Sequence, residues 1–329
     1  MNEDPYLDPI EELITTYNEL NSSVIEELHE EPSPLEFMRF VAKNTPFVVR
    51  GGAASWKATQ TWSPRFLAEH LGQEPVNVAV TPLGNADSPT LHEDGETLVF
   101  AKPWEEQQPF TDFLNYVIQQ ENDPSSLSQD AEVRYAQTQN DNLRDEYASL
   151  FSHVQPDIPF ARIALQKPPE AINLWIGNWR SVTALHKDNY ENIYVQILGQ
   201  KHFVLLPPLC HPCVNERNLP PAHYKRTPDD NLKLEHEHGE ADDDIPFATW
   251  DPDTPENSTT PYSKLARPVR VTLNPGDMLY LPALWYHKVS QSCLPEEGIC
   301  VAVNYWYDMD FTGPLYPFSS FVRSVYKDK

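Results

Sequence analysis

Apolar residues at Ile10, Leu13, Ile14, Tyr17, Leu20, Ile25 and Leu28 fall mostly at helical spacings, and this predicts an amphipathic helix over 9–30. Ser33-Pro34-Leu35-Glu36 has the form of a capping box with proline at the first helical position, opening a second helix that runs to about Lys43. Phe47–Arg50 reads as a short buried strand ended by Gly51-Gly52. Ser63-Pro64 starts a further helix that Gly72 stops. Val76–Val80 alternates as a strand, and an amphipathic helix fits 111–120.

From about residue 130 the period changes. Strands are predicted at Val133–Gln137, Asn173–Gly177, Ile193–Leu198, His202–Leu206, Val269–Leu273, Met278–Leu281 and Ile299–Tyr307, punctuated by turns such as Asn274-Pro275-Gly276-Asp277. Many short strands with Gly and Pro turns point to a barrel or jelly roll. The expected organisation is therefore mainly β with flanking helices. Residues 1–130 form a mixed α/β region packed on the barrel, 131–310 the barrel domain, and 311–329 a helical tail. The stretch 229–257 is rich in Asp and Glu and poor in aliphatics, and it reads as a solvated insertion loop.

Composition narrows the function classes. With 24 basic and 49 acidic residues the formal net charge is −25, which disfavours nucleic acid and anionic membranes as partners and favours a basic peptide. The 32 prolines are scattered among apolar residues as rigid turns. Four cysteines are too few for a disulfide scaffold. The acidic N-terminus lacks a signal-peptide core, and no apolar run approaches the roughly 20 residues of a membrane helix. The expectation is a soluble cytoplasmic or nuclear protein.

The chemistry concentrates in His186-Lys187-Asp188 and in His287, which follows a proline-glycine turn and a strand. Positions i and i+2 of a strand share a face, so His186 and Asp188 can reach one metal, with His287 arriving from another strand. Two imidazoles and a carboxylate make the facial triad of non-haem Fe(II) oxygenases. A bare H-x-D is weak; the strand before it and the distant histidine after its turn give it weight. Cys210-His211-Pro212-Cys213 lacks the βαβ setting of a redox motif, and Cys293 and Cys300 lack the pairing of a zinc site, so all four read as reduced loop thiols.

Asn173 to Pro208 (NLWIGNWRSVTALHKDNYENIYVQILGQKHFVLLPP) and Asn274 to Asp308 (NPGDMLYLPALWYHKVSQSCLPEEGICVAVNYWYD) resemble a JmjC domain, and the likeness extends to Asn44–Gly51, Val76–Pro82 and Val133–Gln137. The resemblance implies a double-stranded β-helix of the cupin-like, jelly-roll kind. It implies Fe(II), 2-oxoglutarate and O2 as cofactor and cosubstrates, with His186, Asp188 and His287 as metal ligands. Lys201 matches the cation for the distal carboxylate of 2-oxoglutarate, Thr183 and Tyr135 match its hydroxyl donors, and Asn192 and Asn304 match polar residues lining its pocket. Trp175, Tyr190, Trp285, Trp306 and Tyr307 read as packing around the site. The activity implied is hydroxylation of a lysine carbon in a protein substrate, with a homodimer as an option. The alternatives are N-methyl-lysine demethylation, whose family members typically carry H-x-E where this chain has Asp188, a histone-tail peptidase activity, for which no nucleophile–base pair is visible, and a non-catalytic β-barrel binding module.

Overall fold

In the computed structural model of the chain, residues 8–123, 125, 131–237 and 244–327 are described. Two antiparallel sheets build the barrel. The larger has the strand order Glu26–Leu28, Phe47–Val49, Met278–Leu281, Tyr190–Leu198, Cys300–Asp308, Ala171–Gly177, with only the first pair parallel. The smaller has the order Val269–Leu273, Gln200–Leu206, Tyr286–Ser292, Thr183–His186. Phe203, Leu205, Val271 and Val289 of the smaller sheet pack with Tyr194, Leu279 and Ala302 of the larger to fill the space between them.

The period of two decides what each face carries. On Tyr190–Leu198, Ile193, Val195 and Ile197 point away from the barrel, and on Cys300–Asp308, Val301, Val303, Tyr305 and Tyr307 do the same. That outer face is covered by helices: Phe37 of Pro34–Lys43, Leu67 and Leu71 of Pro64–Leu71, and Phe113, Leu114 and Val117 of Phe110–Asn122 join one core with it. Both faces of the central strands of the larger sheet are thus buried, which explains why Ile299–Tyr307 reads as an apolar run broken only by Asn304. The alternate residues Asn192, Tyr194, Ala302, Asn304 and Trp306 are left to face the barrel interior.

The N-terminal helices follow their caps. Ser33 Oγ accepts from Glu36 N at 3.3 Å and the Glu36 carboxylate accepts from Ser33 N at 2.8 Å, completing the capping box. Gly72 closes Pro64–Leu71 at φ 55°. The helix expected over 9–30 is shorter, Pro9–Leu20, and Glu26–Leu28 is a strand. Asn21 Nδ2 donates to Tyr17 O, and Ser22 Oγ accepts from Val24 N; these side chain–backbone bonds end the helix. Pairing with Phe47–Val49 then satisfies the freed backbone.

The acidic stretch also differs from its expectation as a loop. Leu232–His236 pairs with Pro221–Arg226, and Ile245–Ala248 pairs with Glu216–Leu219. Buried Leu234 and Ala248 anchor these strands. Arg226 binds Glu106, Glu132 and Asp230, so part of the local acidity is neutralised. Glu240, Asp242 and Asp243 lie outside the described residues. The tail after 311 contains the helix Leu315–Lys327. Among the described residues no helix is long and apolar enough to cross a membrane.

Candidate active site

His186 ends the strand Thr183–His186, and His287, the second residue of the antiparallel neighbour Tyr286–Ser292, lies directly opposite. The two rings lie with centroids 4.0 Å apart. Asp188 Oδ2 sits 3.7 Å from His186 Nε2 and 3.6 Å from His287 Nε2. One ligand atom from each residue falls within 4.8 Å of the others, an arrangement able to hold one metal ion. Among the described residues it is the one such group of His, Cys, Asp and Glu.

The outer nitrogens fix the tautomers. His186 Nδ1 is 2.8 Å from Ala184 O and His287 Nδ1 is 3.1 Å from Trp285 O. A carbonyl only accepts, so each Nδ1 carries its hydrogen and each Nε2 offers its lone pair to the centre. Burial works against the charged form of His186, but Asp188 outweighs it and holds this imidazole above its ordinary pKa. Burial and the neighbouring His186 push His287 down to about 4. Burial favours the neutral acid of Asp188, yet the histidines hold its carboxyl below the usual range. At neutral pH the site therefore offers an ionised carboxylate beside a neutral His287. This is a borderline-hard N,N,O donor set suited to a divalent transition metal.

Two cavities meet at this triad. The inner one lies within the barrel and is lined by Tyr135, Trp175, Asn192, Tyr194, His287, Val289, Asn304 and Trp306. The outer one opens to solvent between loops and is bordered by Asp87, Phe100, Glu105, Phe247 and Tyr286, among others. His186, Asp188, Thr183 and Gln139 line both, so His186 and Asp188 stand at the throat between the two.

The inner cavity has a polar frame. Trp175 Nε1 donates to Asn304 Oδ1 at 2.9 Å, and Asn304 Nδ2 donates to Asn192 Oδ1 at 3.2 Å. Trp306 Nε1 is buried with no hydrogen-bond partner among the described residues. Lys201 stands one layer behind the lining, 2% exposed, its ammonium donating to the Tyr135 hydroxyl at 2.8 Å. The same ammonium lies 5.2 Å from the ring centre of Tyr135 and 5.9 Å from that of Tyr194. The titratable groups around it are the phenols of Tyr135 and Tyr194 and the Cys300 thiol, with no carboxylate within ion-pairing reach among the described residues. Burial raises the Tyr135 phenol above its ordinary pKa, so it stays protonated. Having accepted from Lys201, it keeps its own hydrogen to donate. A buried cation without a counter-ion is costly unless an anion joins it.

All eight residues predicted for the site thus gather around one throat: seven line the inner cavity, and Lys201 backs it. Trp175 and Trp306, read from sequence as packing, line the cavity as well. Tyr194 and Gln139 were missed. Tyr194 shares the inward face of its strand with Asn192, so the period of two was the available signal; Gln139 is in a loop without a pattern. All four cysteines are free, as expected for reduced thiols, and Cys293 lies partly buried in the loop after Tyr286–Ser292; Cys210 and Cys213 are instead buried in the helical turn Pro208–Cys213, and Cys300 is buried at the start of Cys300–Asp308. Cys210 and Cys213 pack with Ile10 and Ile14 of the first helix.

A cupin-like domain model matches residues 32–313. The chain belongs to this cupin-like family, in its JmjC form, as the sequence led us to expect for both fold and oxygenase class. It is 37% identical over 285 residues to the human bifunctional peptidase and (3S)-lysyl hydroxylase JMJD7, covering 86% of this chain and 84% of that protein. It is 36% identical over 327 residues to the lysine-specific demethylase JMJ32 of Arabidopsis thaliana, covering 96% of this chain and 91% of that protein. With JmjC domain-containing protein E of Dictyostelium discoideum it shares 31% identity over 344 residues, covering 96% of each.

Proposed function

We propose that this chain is a protein lysyl hydroxylase using Fe(II), 2-oxoglutarate and O2. The observation that carries the reading is the placement of His186, Asp188 and His287 at the throat between an inner cavity backed by an uncompensated cation and an outer cavity open to solvent. Fe(II) held by the three side chains would supply the coupled oxidation in which O2, 2-oxoglutarate and a substrate C–H give the alcohol, succinate and CO2. The protein's own residues bind and orient. Lys201, through Tyr135, attracts the distal carboxylate of the cosubstrate; Thr183, Asn192 and Asn304 fix its polar groups; Trp175, Tyr194 and Trp306 exclude water around it. The cosubstrate fills the barrel interior, so the side chain to be oxidised approaches through the outer cavity.

A lysine target is supported by the human relative, named for lysyl hydroxylation. The Arabidopsis relative, named as a demethylase, makes N-methyl-lysine the competing substrate. The two are separated by product. Incubation of a cell extract with the Fe(II)-loaded enzyme should add oxygen to unmethylated lysine, read by mass spectrometry against an extract without enzyme. Methyl-lysine histone peptides should release no formaldehyde; release faster than lysine hydroxylation would overturn the assignment in favour of the demethylase.

Gly177 provides a test of the inner cavity. A Cβ there would lie 2.7 Å from Tyr135 Cδ2 and 2.7 Å from Gln291 Nε2. Gly177→Ala must therefore push Tyr135 off its place between Lys201 and the cavity. Overpacking of this kind costs about 1–3 kcal/mol. The expected result is an apparent 2-oxoglutarate affinity weakened about tenfold or more, with metal content at the wild-type level, measured by titration calorimetry and metal analysis.

A further inference from the structure

The outer cavity holds two carboxylates that nothing in the catalytic scheme uses. Asp87 lines it together with His186 and Asp188, and Glu105 lines it too. Asp87 is held in the left-handed region at φ 52°, a conformation that Asp and Asn tolerate better than most residues. Gln137 Nε2 donates to Asp87 Oδ2 at 3.1 Å, and among the described residues Oδ1 has no hydrogen-bond partner of its own.

The cations around the cavity are already engaged. Lys187 Nζ donates to Glu216 Oε2 at 2.9 Å and to the Tyr286 hydroxyl at 3.0 Å, and Arg323 also pairs with Glu216. Lys102, whose charge also acts on Asp87, is bound to Glu237 at 2.9 Å. Among the described residues neither Asp87 nor Glu105 has a basic partner within ion-pairing distance. Burial and the charge of Glu105 both work against ionisation of Asp87, a repulsion that an incoming cation would relieve. Phe100 and Phe247, with ring centres 5.1 Å apart, add an apolar wall to the same cavity.

We propose that Asp87, assisted by Glu105, is the anchor for the ammonium of the substrate lysine, with the lysine stem lying against Phe100 and Phe247. The proposal rests on the lysyl-hydroxylase reading above and names the residues that would give it its specificity. An aliphatic stem on an aromatic wall and a charged head on a carboxylate are the two halves of lysine recognition. Anchoring the head leaves a methylene, not the nitrogen, to face the metal ligands. It also disfavours a trimethylated head, which has no N–H to donate.

The test uses the full chain loaded with Fe(II) and 2-oxoglutarate under anaerobic conditions, with n-pentylammonium as the probe and n-pentanol as its uncharged counterpart. The wild type should bind pentylammonium at least tenfold more tightly than pentanol. Asp87→Asn, which keeps the left-handed backbone and the size of the side chain, should abolish that preference while binding pentanol as before. If Asp87→Asn does not fold, Glu105→Gln at an exposed position carries the test and should reduce the preference severalfold. A wild type that binds both probes equally, or a folded Asp87→Asn that keeps the preference, overturns the anchor; with Asp87→Asn unfolded, an undiminished preference in Glu105→Gln does so. The reading of the activity stands or falls separately, on oxygen added to lysine in the extract: a protein that shows Asp87-dependent cation binding but no lysine oxidation keeps the anchor and loses the hydroxylase assignment.

Discussion

Asp188→Ala is expected to yield a folded protein that neither retains Fe(II) nor converts 2-oxoglutarate. The carboxylate is the anionic member of the donor set, and its Oδ2 stands 3.6 and 3.7 Å from the two Nε2 atoms. Without it the metal would rest on two neutral imidazoles. Loss of groups that merely orient metal ligands already costs about 10- to 100-fold in affinity or activity, and loss of a ligand should exceed that. The fold should tolerate the change, because the Asp188 side chain remains 25% exposed in the throat. Its backbone carbonyl, which accepts from Leu284 N at 2.8 Å, is unaffected by the substitution. The measurements are metal content after anaerobic loading, succinate by NMR, and the thermal midpoint of the metal-free protein. His186→Ala should behave in the same way. Succinate production near the wild-type rate from either variant would remove these residues from the metal site.

The barrel was legible because its signals are local. Turns at Gly199 and at Pro275-Gly276 mark strand ends, and the apolar runs between them survive any detail of packing. What the runs conceal is the facing. Ile299–Tyr307 is apolar at nearly every position, so only the helices covering one side reveal that Ala302, Asn304 and Trp306 look inward. The ligand pair His186 and Asp188 was visible as a short-range motif, whereas His287 needed the barrel, or the JmjC resemblance, to bring it opposite His186. Asp87, Glu105 and Gln139 come from segments outside the barrel sheets and converge only through topology, so no spacing in the chain announces them. The over-long first helix shows the reverse failure: Ile25 and Leu28 fit a helical period but are separated from it by Asn21-Ser22-Ser23; Leu28 joins a strand paired in parallel with Phe47–Val49, and Ile25 packs with Val48 in the barrel core.

Lys201→Met is expected to separate stability from function. In the protein without cosubstrate the ammonium is 2% exposed and has the Tyr135 hydroxyl as its hydrogen-bond partner. Keeping a charge there disfavours the fold, and an uncharged side chain of similar length removes that cost while filling the same space. The metal-free Lys201→Met protein should therefore unfold at the wild-type temperature or above it. Once 2-oxoglutarate is present the balance reverses, because its distal carboxylate would now be buried without a counter-charge. Breaking a buried pair in this way costs about 3–5 kcal/mol, or more than a hundredfold in affinity. Addition of 2-oxoglutarate at about 100 times the wild-type dissociation constant should stabilise the wild type by about 2.7 kcal/mol and leave Lys201→Met nearly unmoved. Lys201→Arg should recover part of the response, since it restores the charge but not the shape of an ammonium. Calorimetric binding and thermal midpoints with and without 2-oxoglutarate decide the matter. A Lys201→Met protein stabilised by 2-oxoglutarate as strongly as the wild type would assign the carboxylate to another cation, whereas one that unfolds well below the wild type without cosubstrate would show that the ammonium belongs to the core.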